Sequence, residues 1–142
     1  MDGPYVRLIE ANRRRRASSA DEALEAALDR EYACGTRLAV YGSLAPGEAN
    51  AHVLASLQGS WIAALFVNGD LSPDGWGATL GFPGGRWRVD GPPFPVQLFS
   101  SPRLAGDWPR LDAFEGPEYL RILVPVFSRD GFATVANLYA VA

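Results

Sequence analysis

The stretch "RLAVYGSLAPGEAN", Arg37 to Asn50, is where this chain changes character. Its first half, "RLAVYGS", is aliphatic and alternating, which predicts a core strand. Gly42 and then Pro46-Gly47 break the strand. Gly42 lets the chain turn with positive φ and removes the Cβ that would keep a ligand off the backbone. The successive N–H groups of Gly42, Ser43 and Leu44 then suit a small anion-binding nest or an oxyanion hole. An ordinary strand-to-helix connection needs the same Gly and Pro, so the stretch alone leaves both readings open. The segment after it, "NAHVLASL", puts Val53, Leu54 and Leu57 on one face of a short helix, with Asn50 as N-cap.

Upstream, Ser19-x-x-Glu22 has the form of a capping box. Ala20, Ala23, Leu24, Ala27, Leu28 and Tyr32 follow at helical spacing, so an amphipathic helix is expected over 20–32, ending before Gly35. The "RRRR" run from Arg13 to Arg16 reads as a solvated charged face, the alternative being a contact for an acidic partner. Downstream, short apolar runs alternate with Gly/Pro turns: "WIAALFVNG" (61–69), "GWGATLGF" (75–82, weakened by its glycines), "PFPVQLFS" (93–100), "YLRILVPVF" (119–127) and "FATVANLYAV" (132–141). The last two are joined by "SRDG", an Asp-Gly hairpin signal. Residues 83–95 read as an irregular loop. Six strands with two small helices predict an α+β domain over residues 37–142, built round a compact, barrel-like sheet. Residues 1–36 are expected to form a helical extension packed on it and a candidate surface for homo-oligomer formation.

The chain has 142 residues, the size of one domain. A net charge of −3 gives no reason to expect nucleic acid. No apolar run is long enough to span a membrane and no secretory leader is recognisable, so a cytoplasmic protein is expected. One Cys, Cys34, and one His, His52, leave no Cys/His zinc site and no disulfide within the chain. There is no Lys; all thirteen basic residues are Arg. Schiff-base chemistry and a Walker A phosphate site therefore lack their usual group. Proton transfer falls most naturally to a carboxylate.

One carboxylate stands out, in "RLDAFEGPEYLR", Arg110 to Arg121. A short helix from Trp108 to Glu115, with Asp107 as N-cap and Pro109 in the first turn, ends at Gly116-Pro117. Trp108, Leu111 and Glu115 then lie at i, i+3 and i+7 on one face, bordered by Phe114. Glu115 ends an apolar stripe. Burial would raise its pKa and suit it to move protons near neutral pH. The alternative is a Glu that caps nearby backbone or pairs with an Arg such as Arg121.

Together the two motifs are more specific. "VYGSL", some seventy residues, then "LDAFEG" followed by Y-x-R (Tyr119 to Arg121) and a β-pair ending "ANLYAV" resembles the gamma-glutamylcyclotransferase-like family, and within it the gamma-glutamylamine cyclotransferase branch. The resemblance covers residues 37–142. It implies a small mixed β-barrel with flanking short helices. It also implies that Tyr41, Gly42, Ser43, Leu44 and Tyr119 bind the glutamyl moiety and that Glu115 is the general acid/base. The implied substrate is a small γ-glutamyl amino acid or amine, cyclised to 5-oxoproline with release of the amine and without cofactor or metal. A non-catalytic binding module on the same fold is the main alternative, and an acyl-transfer hydrolase using Ser43 and His52 a third. Asp112 and Glu118 read as solvated or capping carboxylates. Arg121 is placed either on the substrate carboxylate or on Glu118, while Trp76 in "GWGA" is a candidate pocket wall.

Overall fold

The computed structural model describes residues 5–72 and 84–141. Two helices come first, α1 (Tyr5–Arg16) and α2 (Glu22–Tyr32), then a single 3-10 turn at Cys34–Thr36. The remainder is β1 (Arg37–Val40), α3 (His52–Ala55), β2 (Ser60–Ser72), β3 (Gly84–Trp87), β4 (Pro93–Ser100), a 3-10 turn at Pro102–Gly106, α4 (Trp108–Glu115), β5 (Tyr119–Ser128) and β6 (Gly131–Val141).

The strands run in the order β3-β2-β4-β1-β6-β5, and β5 returns to pair with β2. Five strands therefore close into a barrel, with β3 as an extra strand on the outside of β2. The barrel is mixed, because β1 lies parallel to β6 and antiparallel to β4. Alternation along β5 and β6 explains how it fills. Ile122, Val124 and Val126 face inward with Ala136 and Leu138, whereas Leu123 and Val135 face outward under α1 and α2 with Leu8 and Leu28. A third apolar cluster sits beneath α3 and α4, where Val53, Leu54, Trp108 and Leu111 meet Leu38 and Phe99. Burying Leu8, Leu28 or Leu111 completely contributes roughly 1.5–3 kcal/mol each.

Closure between β5 and β2 rests on one pair, Phe66 with Phe127. The rest of that edge of β5 would be left with open backbone groups, and α1 covers it. The buried Asn12 side chain donates Nδ2 to Leu123 O and accepts Leu123 N–H at Oδ1, both at 2.8 Å. Two residues along, Arg15 Nη1 donates to Arg121 O at 3.0 Å. Helix α1 thus bonds to the strand edge much as a neighbouring strand would.

Several local expectations are corrected. Asp21, not Ser19, caps α2, accepting Leu24 N–H at 3.1 Å, so the helix starts at Glu22. Helix α1 lacks a clear amphipathic signal in the sequence. Its buried face is only Leu8, Ala11 and Asn12, and docking on β5 supplies the rest of its stability. The four arginines that end it are not one solvated face: Arg13 pairs with Glu10, Arg14 bonds Ser19 O, and Arg15 turns inward to Glu25. Asn50 does not cap α3; Ala51 occupies that position, and Asn50 Nδ2 donates to Ser43 Oγ at 3.0 Å. Asp107 sits at the N-cap of α4 but makes no capping bond, because Arg110 takes its carboxylate at 2.6 Å. Residues 84–87, read as irregular loop, are strand, paired with β2. The expected strand at 75–82, with Trp76, lies outside the described residues.

Candidate functional site

Helix α4 spans Trp108–Glu115, the range its caps predicted, with Gly116 at the C-cap (φ 83°) returning its N–H to Asp112 O. Trp108 and Leu111 are buried, while Phe114 and Glu115 are half-buried. Desolvation pushes the Glu115 carboxyl up to about 7, and the negative charge of Asp112, one turn earlier, adds to the shift. Both causes oppose ionisation. A carboxyl in this state exchanges its proton near neutral pH.

The groups round Glu115 come from the barrel. Its charge raises the proton affinity of both Tyr41 and Tyr139, and Tyr119 acts on Tyr41 in the same sense. Glu115, Tyr41, Tyr119 and Tyr139 thus share one electrostatic neighbourhood. It joins the end of α4, the loop after β1 and the strands β5 and β6.

Tyr41 follows β1 directly. Its hydroxyl accepts Gly85 N–H at 2.8 Å and donates to Tyr139 O at 2.6 Å, and its ring meets Phe94 edge-on. Burial drives its pKa far above the ordinary tyrosine value. With its one proton given to backbone, Tyr41 ties β1 to β3 and β6. Gly85 makes this possible. A Cβ there would lie 2.9 Å from Tyr41 Cζ, too close for the ring to stay in place.

Beyond Tyr41 the loop is tied to itself: Gly42 O accepts Ala45 N–H at 3.1 Å and Ser43 O accepts Asn50 N–H at 2.9 Å. Positive φ falls on Gly47 (82°), not on Gly42, because the reversal happens at the Pro46-Gly47 turn. Gly42 serves instead by leaving space. A Cβ built on it meets no atom of the described residues within 4 Å, so a group could approach its backbone. Leu44 is 4% exposed and its side chain belongs to the core, leaving only its backbone to face a ligand. Ser43 Oγ is held by Asn50, while His52 is exposed at the start of α3.

A second network runs from α4 into the barrel wall, and of its members the sequence reading singled out only Arg121 as a substrate contact. Asp112 Oδ1 accepts the Tyr139 hydroxyl at 2.6 Å and Arg121 Nε at 2.9 Å. Arg121 therefore pairs with Asp112, and its guanidinium lies 4.4 Å from the centre of the Trp108 ring. Asn137, 1% exposed, accepts both Arg121 Nη1 and Arg15 Nη1 at its Oδ1 and donates to Cys34 O. The i, i+3 spacing of Asp112 and Glu115 was the available signal for Asp112. Nothing local marks Arg15 or Asn137. This network floors a cleft of about 700 Å³ between α1, α2 and α4, lined also by Trp108, Tyr119 and Cys34. Neither Glu115 nor residues 41–44 line it. Cys34 is buried, its thiol pushed up to about 11 chiefly by desolvation, which leaves it unreactive.

No protein-family model matches the chain, and no curated protein does either. Solved structures do. YkqA from Bacillus subtilis matches with TM-score 0.57 and 24% identity over 75% of this chain, which spans only 35% of YkqA. An AIG2-like protein from mouse (Mus musculus), GGACT, matches with TM-score 0.56 and 18% identity over 75% of this chain and 77% of its own. An uncharacterized protein from Pyrococcus horikoshii matches with TM-score 0.51 and 16% identity over 75% of this chain and 77% of its own. Identities this low speak to architecture, and the architecture agrees: the chain has the AIG2-like fold, a closed five-strand mixed barrel with one added strand and short flanking helices.

Proposed function

We propose that the protein is a gamma-glutamylcyclotransferase-type enzyme, with Glu115 as its general acid/base. The observation that carries this reading is the half-buried Glu115 carboxyl with a pKa of about 7, among tyrosines and beside a loop whose Gly42 backbone is open. The fold it shares with the mouse AIG2-like protein and the "VYGSL…LDAFEG" pattern support it.

The reaction would be intramolecular. The α-amine of a γ-glutamyl compound attacks its own γ-carbonyl carbon, the new C–N bond closes a five-membered ring, and the original amide C–N bond breaks. Glu115 takes the proton lost by the attacking amine and returns it to the departing nitrogen, so the products are 5-oxoproline and a free amine. A free α-amine has a pKa near 8, so a carboxylate near 7 takes its proton with a gap of about one unit, against more than three for an ordinary Glu. The N–H groups of the 42–44 loop would receive the oxyanion that forms as the amine adds. Holding the folded conformer is the larger part of the task, since orientation of this kind is worth roughly 7–11 kcal/mol in favourable cases.

The test is release of 5-oxoproline from a panel of γ-glutamyl amino acids, γ-glutamyl amines and glutathione, read by mass spectrometry with Glu115→Gln alongside. Release by the wild type, reduced at least roughly 10²-fold in the variant, is expected. Its rate should climb with pH through about 7 as Glu115 ionises. A folded wild type that releases nothing from any member, or a variant of equal activity, overturns the reading.

A further inference from the structure

We infer that Arg15, carried by the N-terminal helix α1, is a positioning residue for Glu115, acting by holding Arg121 against Asp112. The inference rests on the reading of Glu115 as the acid/base, and it gives residues outside the barrel a part in the site.

The chain of contacts is continuous. Glu25 of α2 grips Arg15 through two bonds, Nε to Oε2 and Nη2 to Oε1, both 2.7 Å. The remaining arm, Nη1, donates to Arg121 O at 3.0 Å and to Asn137 Oδ1 at 2.9 Å. Arg121 Nη1 donates to that same Asn137 oxygen at 3.0 Å, and its Nε donates to Asp112 Oδ1 at 2.9 Å. Asp112 is one helical turn before Glu115. Arg15 is well sheltered, with its side chain 14% exposed, so its contacts are only weakly screened by solvent.

Two guanidiniums on one amide oxygen repel each other. Arg15, fixed by Glu25, therefore keeps Arg121 on its Asp112 side, where the Trp108 ring supports it from behind. Without Arg15, Glu25 loses its cation, and Arg121, bonded to the same Asn137 oxygen as Arg15, is a replacement within the same network. Arg121 would then be drawn toward Glu25, leaving the Asp112 charge uncompensated beside Glu115. Among the described residues, the other titratable and charged groups in this neighbourhood include Tyr41 after β1, Tyr119 on β5 and Tyr139 on β6, with Arg86 of β3 beyond Tyr41. Asp112 is the group among them that raises Glu115 by charge, so it is the route along which Arg15 acts.

The experiment is a titration of the Glu115 side-chain carboxyl by NMR in the full chain carrying ¹³C-labelled glutamate, with the resonance assigned by its absence in Glu115→Gln. Arg15→Gln should move the midpoint up by about half a unit or more. In an Asp112→Asn background the same substitution should move it by nothing measurable. Arg15→Lys keeps the charge but cannot bridge Glu25 and Asn137, and should give a smaller upward shift; it also guards against a failure of Arg15→Gln to fold. No shift in either variant, or an equal shift with and without Asp112, overturns the inference. The titration needs no substrate. An absence of 5-oxoproline release would remove the cyclotransferase reading and still leave the Arg15–Glu115 coupling decided.

Discussion

Replacing Glu115 by Gln should stabilise the protein at neutral and alkaline pH while removing the acid/base. The ordinary Glu value is 4.5 and the folded value about 7, so the folded chain holds a proton that the unfolded chain has already lost between those two pH values. Stability from this group is therefore fullest below pH 4.5 and falls as pH rises to about 7. Above that, the folded protein carries a desolvated carboxylate whose cost is about 3 kcal/mol, from 2.5 pKa units at 1.36 kcal/mol each. Gln keeps the shape of the side chain and does not ionise. Urea denaturation of both proteins at pH 5 and pH 8 isolates the ionisation, since every other group titrates alike in the two. The stability of the variant relative to wild type should grow by about 2.5 kcal/mol between those pH values. For a chain of this length that is a relative gain of roughly 8 °C in Tm. A difference constant to within about 0.5 kcal/mol would show that Glu115 titrates as an ordinary surface residue, and the desolvated site would be lost with it.

Two further outcomes follow from the contacts that frame the site. Asn12→Ala removes both partners of the Leu123 backbone and should cost about 2–4 kcal/mol. Hydrogen exchange at the Leu123 amide should speed up at least about tenfold, whereas unchanged protection would mean that α1 is not what covers that strand edge. Gly85→Ala drives a methyl to 2.9 Å from the Tyr41 ring and should cost about 1–3 kcal/mol. Most of that cost should vanish in a Tyr41→Ala background, where the ring carbons Cζ and Cε1 that the methyl meets are gone; a full additive cost would place the strain elsewhere.

The sequence by itself determined the elements whose signals are local. Helix α4 was legible to the residue because Gly116-Pro117 stops it and its apolar stripe has helical spacing, and that stripe placed Glu115 facing inward. The alternation of β5 and β6 and the turn between them were legible for the same reason. Only the tertiary structure decided the rest. The strand at 84–87 exists because β2 pairs with it, and its two glycines carry no strand propensity of their own. Arg15 is one of four consecutive arginines, and nothing in that run distinguishes the one that points inward. Its role comes from Glu25, Asn137 and the carbonyl of Arg121, the last more than a hundred residues away in the chain. A helix period or a cap acts between neighbours and leaves its mark in the order of residues. A charge shared between α1 and β6 is set by where the closed barrel puts them, and residue order alone does not record it.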